Sequence, residues 1–596
     1  MKNDRPTIES MPHGFVFSED GKILERCPRD YKGTVNVPMG VKIIGKSSFF
    51  NMKGLQEITL PDTLTRIQTS AFTNCENLQS VALPPYVTEI GAYAFSGCRA
   101  MSALSLPEGL LTIGNGAFVE CSGLDELTIP STVINMGNKN PFASSTPIGT
   151  VVTYPKKGFR LASLSPLFSV MNGCLVDMER KTLMAYIGSG DSCVIPSGIE
   201  TIGELAFACN PYIKEVIIPE SVTTIKSSAF WRCASLQHID LPESIQNLGH
   251  SVFGGCCKLR GVLIPKPIRT ITDSMFIHCG ELAEVRLPET LTAIESNAFG
   301  MCQSLNKITI PQSVASVGNN PFFGCGKVAV KSNSPYFVMF EDYLIDEKNM
   351  ALIAYVGDQA SVEIPAVVQQ IGESAFENAQ CLVRVVIPSS VDTIGHCAFE
   401  NCRNLQEIDI PDSVDWIGHD AFMKCVSLLE IRLPDRLKQI DFSVFDGCRS
   451  LKAIKYHNCT YSIEIFEIME SELPVNNPLD LLRECEAYLA KCSELEENEY
   501  EDLPMVSTCS KSTTEEEQEE LQQADEEHRK RRLVNIMYEI IRDGIRKKYS
   551  YSICYNSSIQ TLESKLRELK NRLPKHMGSE MGKGNGNETD NDKSER

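Results

Sequence analysis

From residue 14 to residue 456 the apolar positions recur in one order, L-x-x-I-x-I-P-x-x-V-x-x-I-G-x-x-A-F-x-x-C. One copy is Leu78, Val81, Leu83, Pro84, Val87, Ile90, Gly91, Ala94, Phe95 and Cys98. A phenylalanine of this unit stands at 207, 230, 253, 276, 299 and 322, each 23 residues after the last. In L-x-x-I-x-I the last two apolar residues are two apart, so they share one side of an extended strand and the residue between them faces outward. The proline, with no N–H to give a ladder, ends the strand. The I-G-x-x-A-F segment is expected to turn a corner, its glycine supplying a backbone conformation that other residues resist.

One such unit buries almost nothing alone. Its apolar residues become core only by stacking on the units before and after. A period in the range of 20 to 29 with this leucine spacing predicts a leucine-rich repeat solenoid, mainly β with short turns. Three stretches break the period and read as β-hairpin modules: 13–37 around Glu19, Asp20 and Gly21, then 168–196, then 336–365. Each ends in a proline, Pro38, Pro196 or Pro365, that restarts the frame. The expected organisation is a lead at 1–12, then a module with a repeat block at 13–165, 166–334 and 335–457. The first two blocks close on Asn140-Pro141-Phe142 and Asn320-Pro321-Phe322, and the third has no such closure.

After Tyr456 the repeat stops, and 458–574 reads as a small helical region with an acidic linker at 495–519. Helices are expected at 478–494, 520–547 and 557–573. In the second, Leu533, Ile536, Met537, Ile540 and Ile541 recur at helical spacing. That apolar stripe must cap the open end of the array or pair with another chain, so self-association through these helices is one of two expectations. Residues 575–596 have almost nothing to bury and read as disordered.

Composition narrows the class. A net charge of −20 argues against nucleic acid as the partner, because binding it by counterion release needs clustered Lys and Arg. No run approaches the 18 apolar residues of a membrane span. The first residues hold no apolar core of a secretory signal, which points to the cytoplasm; an upstream start carrying a signal would instead place the chain at the cell surface or outside the cell. Of 23 cysteines, eleven follow a repeat phenylalanine by three residues. Equivalent atoms on stacked strands lie about 4.8 Å apart, whereas a disulfide needs Cβ atoms about 3.8 Å apart, so these read as reduced, buried thiols.

Candidate chemistry is sparse. There is no CxxC pair, G-x-S-x-G, P-loop or dinucleotide fingerprint, so neither catalytic residues nor a cofactor is expected. His250, His396 and His419 each precede a repeat phenylalanine by three. The last two fall on successive rungs, but two imidazoles lack the further ligands of a metal site and read as exposed turn residues. Trp231 and Trp416 are placed at turns, either as interface anchors or packed on a neighbouring rung. The outward strand positions are the candidate binding face: Thr59, Ala82, Ser105 and Thr128; then Ile217, Asp240, Leu263, Arg286 and Thr309; then Val386, Asp409, Arg432 and Lys455. This mixture of charged and apolar residues suits a protein partner better than a phosphate or a metal.

The unit P-x-x-V-x-x-I-G-x-x-A-F-x-x-C-x-x-L-x-x-I-x-I, the hairpin modules and the Asn-Pro-Phe closures resemble the BspA-like, or Treponema pallidum type, leucine-rich repeat, over roughly residues 14 to 456. The resemblance implies non-enzymatic protein binding. Similar bacterial proteins are often surface adhesins for host matrix proteins or other cells, which is the alternative to an intracellular scaffold.

Overall fold

The computed structural model describes residues 14–143 and 154–462 except Asn458, together with Met11, Leu479 and Arg483. Apart from those last three residues, the lead, the three C-terminal helices, the acidic linker and the tail at 575–596 lie outside the described residues. The chain divides into two compact units, Met1–Arg436 with Ser443–Leu451, and Leu437–Phe442 with Lys452–Arg596.

The chain winds a β-solenoid of about 18 turns, and each regular turn gives one strand to each of two parallel sheets. The L-x-x-I-x-I segments form the first sheet. Leu55–Thr59, Ser80–Ala82 and Ala103–Ser105 stack with Ile58, Val81 and Leu104 in register. The V-x-x-I segments form the second, where Ile43–Ile44, Arg66–Ile67, Glu89–Ile90 and Thr112–Ile113 align Ile44, Ile67, Ile90 and Ile113. A 23-residue period therefore places like residue over like, and the buried residues of both sheets meet in one core.

The third side of each turn is the corner carrying the phenylalanine. Its backbone N–H groups reach forward: Ser70 N donates to Ala92 O, Phe72 N to Ala94 O and Asn74 N to Ser96 O, at 2.7–2.8 Å. Alternate residues must be left-handed to aim these groups the same way, and Ser70 (φ 56°) and Asn74 (φ 59°) are. Serine and asparagine recur at these two positions. Asparagine in particular tolerates that region better than most side chains. The sequence reading gives the glycine of I-G a conformation that other residues resist; Gly137 does take one (φ 71°), but most glycines at this position do not. Gly91 is not left-handed; a Cβ on it would meet Thr69 N at 2.6 Å and Gln68 C at 2.7 Å of the preceding turn. At Gln68, Thr272 and Glu295, where this position is not glycine, a side chain bonds across turns instead. Gln68 accepts from Lys46 N at 3.0 Å, and Glu295 from Asp273 N at 2.8 Å.

Inside the corner the phenylalanine rings form a column, 4.8–6.3 Å between centroids and 6–17° between planes. The cysteine column lies beside it. Each of the eleven Sγ–H groups donates to the carbonyl of the phenylalanine 26 residues earlier, one turn back, at 2.9–3.3 Å. The first phenylalanine turn of each block has no such turn behind it, and there the position is Met52, Asn210 or Ala379.

The modules at 168–196 and 336–365 differ from the expected two-stranded hairpins. Each is a three-stranded antiparallel meander: Phe168–Met171, Cys174–Asp177 and Thr182–Tyr186, then Phe337–Phe340, Tyr343–Asp346 and Ala351–Tyr355. Only the module of the first block is a simple hairpin, Val16–Phe17 with Ile23–Arg26. The third meander strand continues in parallel into the second sheet, Leu183 pairing with Ile202 and Leu352 with Ile371. It also has core on both faces. Met184, Ala185 and Ile187 belong to the core of the first block, and Leu183 and Tyr186 to that of the second. That double burial explains the near-continuous apolar run TLMAYI, since a strand covered on both sides has no polar face to alternate.

In the second unit, Ala453–Tyr456 pairs antiparallel with Cys459–Ser462. A strand thus stands where the helical region was expected to begin. Arg483 donates to Tyr456 Oη at 3.1 Å and to Leu437 O at 2.6 Å.

Candidate functional site

A three-residue strand of the first sheet buries its middle residue and exposes the two beside it. Glu215, Val216 and Ile217 follow this exposed–buried–exposed order, as do His238, Ile239 and Asp240. Of the thirteen positions picked from the sequence, eleven are exposed, while Val386 and Lys455 are half-buried. Lys455 belongs to the second compact unit and the other twelve to the first. The sequence reading missed the other exposed column of the same strands, which includes Glu215, His238, Glu284 and Lys307. The period-2 rule that found one column supplies the other.

The three blocks present different chemistry on this sheet. In the third, the charges neutralise one another: Arg384 reaches Asp409 at 3.0 Å and Glu407 at 3.6 Å, while Arg432 reaches Asp412 at 2.9 Å and Asp435 at 3.3 Å. In the first, the positions are small or hydroxylic. In the second, Val194, Ile217 and Leu263 stand 53%, 51% and 59% exposed. Val194 pairs directly with Ile217, and Asp240 pairs with Ile217 on the next turn. Large apolar groups held in water on a rigid sheet are the part of this surface that gains most from being covered.

Two further features flank the sheet. A groove of about 440 Å³ crosses the corners of the second block, with Arg232, His278 and Met301 on one wall and Ala234, Cys257 and Gly280 on the other. Three successive residues four after the phenylalanine, Ala234, Cys257 and Gly280, are small here. The equivalent residues are Lys53, Glu76, Arg99 and Ser122 in the first block and Gln380, Arg403, Val426 and Arg449 in the third. Partial burial lowers the proton affinity of the His278 imidazole. In the third block, Glu377 lies beneath the corner surface. Burial, the dominant cause, and the neighbouring Glu400 raise its carboxyl to about 7.

His396 and His419 are neighbours as expected, with rings stacked at 5.1 Å. His396 is half-buried rather than exposed: it sits edge-on to Trp416 at 5.0 Å, and its Nδ1 accepts from His419 N at 2.9 Å. Trp416 lies in the strand Trp416–Ile417 of the second sheet, not in a turn. Trp231 is half-buried against Ala143, Leu205 and Ala208 at the junction of the first two blocks. Among the described residues, no group of three His, Cys, Asp or Glu is arranged to hold a metal ion, and no helix is long and apolar enough to cross a membrane.

Two parallel sheets joined by a ring-stacked corner at a 23-residue period define a leucine-rich repeat protein. The chain belongs to the BspA-type leucine-rich repeat family: the family model described as "BspA type Leucine rich repeat region" matches residues 32–148, 200–329 and 354–467, more than half of the chain. Among solved structures, the chain is similar to a leucine rich cell surface protein from Faecalibacterium prausnitzii. The identity is 27%, the match covers 50% of this chain and 96% of that one, and the TM-score is 0.40. A leucine-rich repeat protein from Eubacterium ventriosum is 24% identical over 50% and 83%, with a TM-score of 0.42. The leucine rich repeat protein of T. pallidum is 23% identical over 44% and 86%, with a TM-score of 0.21. No curated protein matches the chain.

Proposed function

We propose that the chain is a non-enzymatic protein-binding scaffold that recognises its partner on the first sheet, centred on the second block. The observation that carries this reading is the exposed column of Val194, Ile217 and Leu263, set on strands that cannot turn these groups inward. The ion-paired surface of the third block is a poorer centre, since its charges would have to leave one another before meeting a partner. Asp240, between Ile217 and Leu263 on the same column, and Arg286, one turn beyond Leu263, supply the polar groups that fix orientation around the apolar ones.

The test compares proteins captured from native cells by the full chain, by an Ile217→Glu/Leu263→Glu variant, and by a Thr224→Glu/Thr270→Glu control on the other sheet. The reading expects a set of proteins held by the first and third and lost by the second. Equal capture by all three ends it.

The same reading places the protein in a reducing compartment, supported by a core that uses its thiols as hydrogen-bond donors. A surface location, with matrix proteins or other cells as the partner, is the competing outcome. Fractionation of native cells with a thiol count on each fraction separates the two.

A further inference from the structure

We propose that Cys174 and Cys193 are a disulfide-forming pair, closed when the chain folds in an oxidising compartment and open in a reducing one. Their Sγ atoms lie 3.8 Å apart. Cys174 opens the second meander strand of the second block, and Cys193 lies in Ser192–Val194, the first strand of that block's first sheet. Both side chains are buried. A disulfide holds its sulfurs about 2.05 Å apart, so closure asks for a movement on the order of 2 Å between two short side chains.

Two comparisons within the molecule support this. The eleven column cysteines each give their thiol hydrogen to a phenylalanine carbonyl; Cys302 and Cys325, which also interact with each other, do so at 3.1 and 2.9 Å. Cys174 and Cys193 instead face each other, with the Asn172 carbonyl farther from the Cys174 sulfur at 4.0 Å. In the third block, the equivalent positions are Tyr343 and Val362, and there Tyr343 Oη donates to Glu363 O at 3.1 Å. That bond joins the same meander strand to the same first strand, Ser361–Glu363. Both meanders are therefore fastened to the sheet that follows, one by a hydroxyl and the other by a pair of thiols.

The chemistry is thiol–disulfide exchange with a glutathione-type disulfide. One cysteine thiolate attacks a glutathione disulfide sulfur and expels glutathione thiolate. The second cysteine attacks the protein sulfur of the mixed disulfide and expels the other glutathione. Two protein thiols are oxidised and one disulfide is reduced to two thiols, which take up the two protons. Because both sulfurs are buried in the folded chain, exchange takes place before the meander packs. The state of the pair thus records the compartment in which the chain folded.

The test refolds the full reduced chain from denaturant, once in glutathione with glutathione disulfide and once in reduced glutathione alone. The products are then alkylated, digested without reduction and mapped by mass. The expected result is a 174–193 cross-linked peptide from the first sample only, with the column cysteines alkylated as thiols after denaturation. Cys193→Val, copying the third block, is expected to fold and to give no cross-link. The proposal is overturned if both cysteines are recovered as free thiols from the oxidising sample, or if either is joined elsewhere while a pair such as Cys302–Cys325 takes the disulfide.

Discussion

Tyr186 stacks on Phe207 with ring centroids 5.0 Å apart, in the slot that a phenylalanine fills in the regular turns. Its backbone N–H donates to Ala206 O at 2.7 Å, the bond that Phe72 makes to Ala94. Tyr355 repeats both contacts, stacking on Phe376 at 5.2 Å and donating to Ala375 O at 2.8 Å. Each meander therefore begins the ring column of its block. Tyr186→Ala is expected to lower stability by about 3–5 kcal/mol, as for other buried aromatics. Tyr186→Phe keeps the ring and is expected to cost about 1 kcal/mol or less, since the hydroxyl reaches Ser192 O only at 3.5 Å. Urea titration of the pair checks this, and equal losses would show that the ring is not the important part.

Asn320 joins the second block to the third. Its Nδ2 donates to Ser374 O at 2.6 Å and Ala375 O at 3.3 Å, while its Oδ1 accepts from Phe322 N at 3.2 Å. Asn140 makes the same set to Leu205, Ala206 and Phe142. Asn320→Ala removes the bridge and is expected to cost about 2 kcal/mol; Asn320→Asp sets a carboxylate against two carbonyls and is expected to cost more. Hydrogen exchange at Phe322 should accelerate in both before global unfolding does. Unchanged exchange there would falsify the bridging role.

The column cysteines should resist alkylation in the folded protein. Burial pushes the Cys75 and Cys402 thiols up to about 12, against an ordinary value of 9.0, so little thiolate forms near neutral pH. Among the cysteines of the described residues, Cys257 and Cys381 are exposed and should react first. Peptide mapping after a brief native pulse of iodoacetamide checks the order. Early labelling of Cys279 would contradict the assigned core.

Glu377 gives the third block a pH dependence of definite sign. With its folded value raised to about 7 from an ordinary 4.5, the folded chain binds this proton more tightly than the unfolded one. Stability falls as pH rises between those values and is independent of pH on either side, the penalty being absent below them and complete above them. Glu377→Gln is therefore expected to stabilise by about 1–3 kcal/mol at pH 8 and to change little at pH 4. Thermal melts of both proteins at the two pH values suffice. A gain of the same size at both would point to packing rather than charge.

The repeating part of the fold was legible because a 23-residue period makes each structural demand recur. The alternation of Val216, Ile217 and Ile218 and the phenylalanine column could be counted many times over. The exceptions were harder to read. Tyr186 takes a phenylalanine's place from a different strand and frame, so no spacing marked it. The glycine at 91 was given the wrong reason, because contact with the turn behind cannot be seen in a single unit. The loss of cysteine at Met52, Asn210 and Ala379 was visible in the sequence, but it acquires meaning only once the thiol's acceptor on the preceding turn is known. The binding surface was legible as a set of outward positions. What distinguishes the second block is which neighbours neutralise one another, and that depends on cross-turn distances such as Arg384 to Asp409.

Across the junction the asparagine bridges touch only backbone carbonyls of the turn that follows, and every turn offers those. Nothing in the bridge depends on how many turns precede it or on which side chains they carry. A block can therefore lengthen or shorten by whole turns away from its junctions without disturbing the bridge. The length of the recognition surface is thereby uncoupled from the device that joins one block to the next.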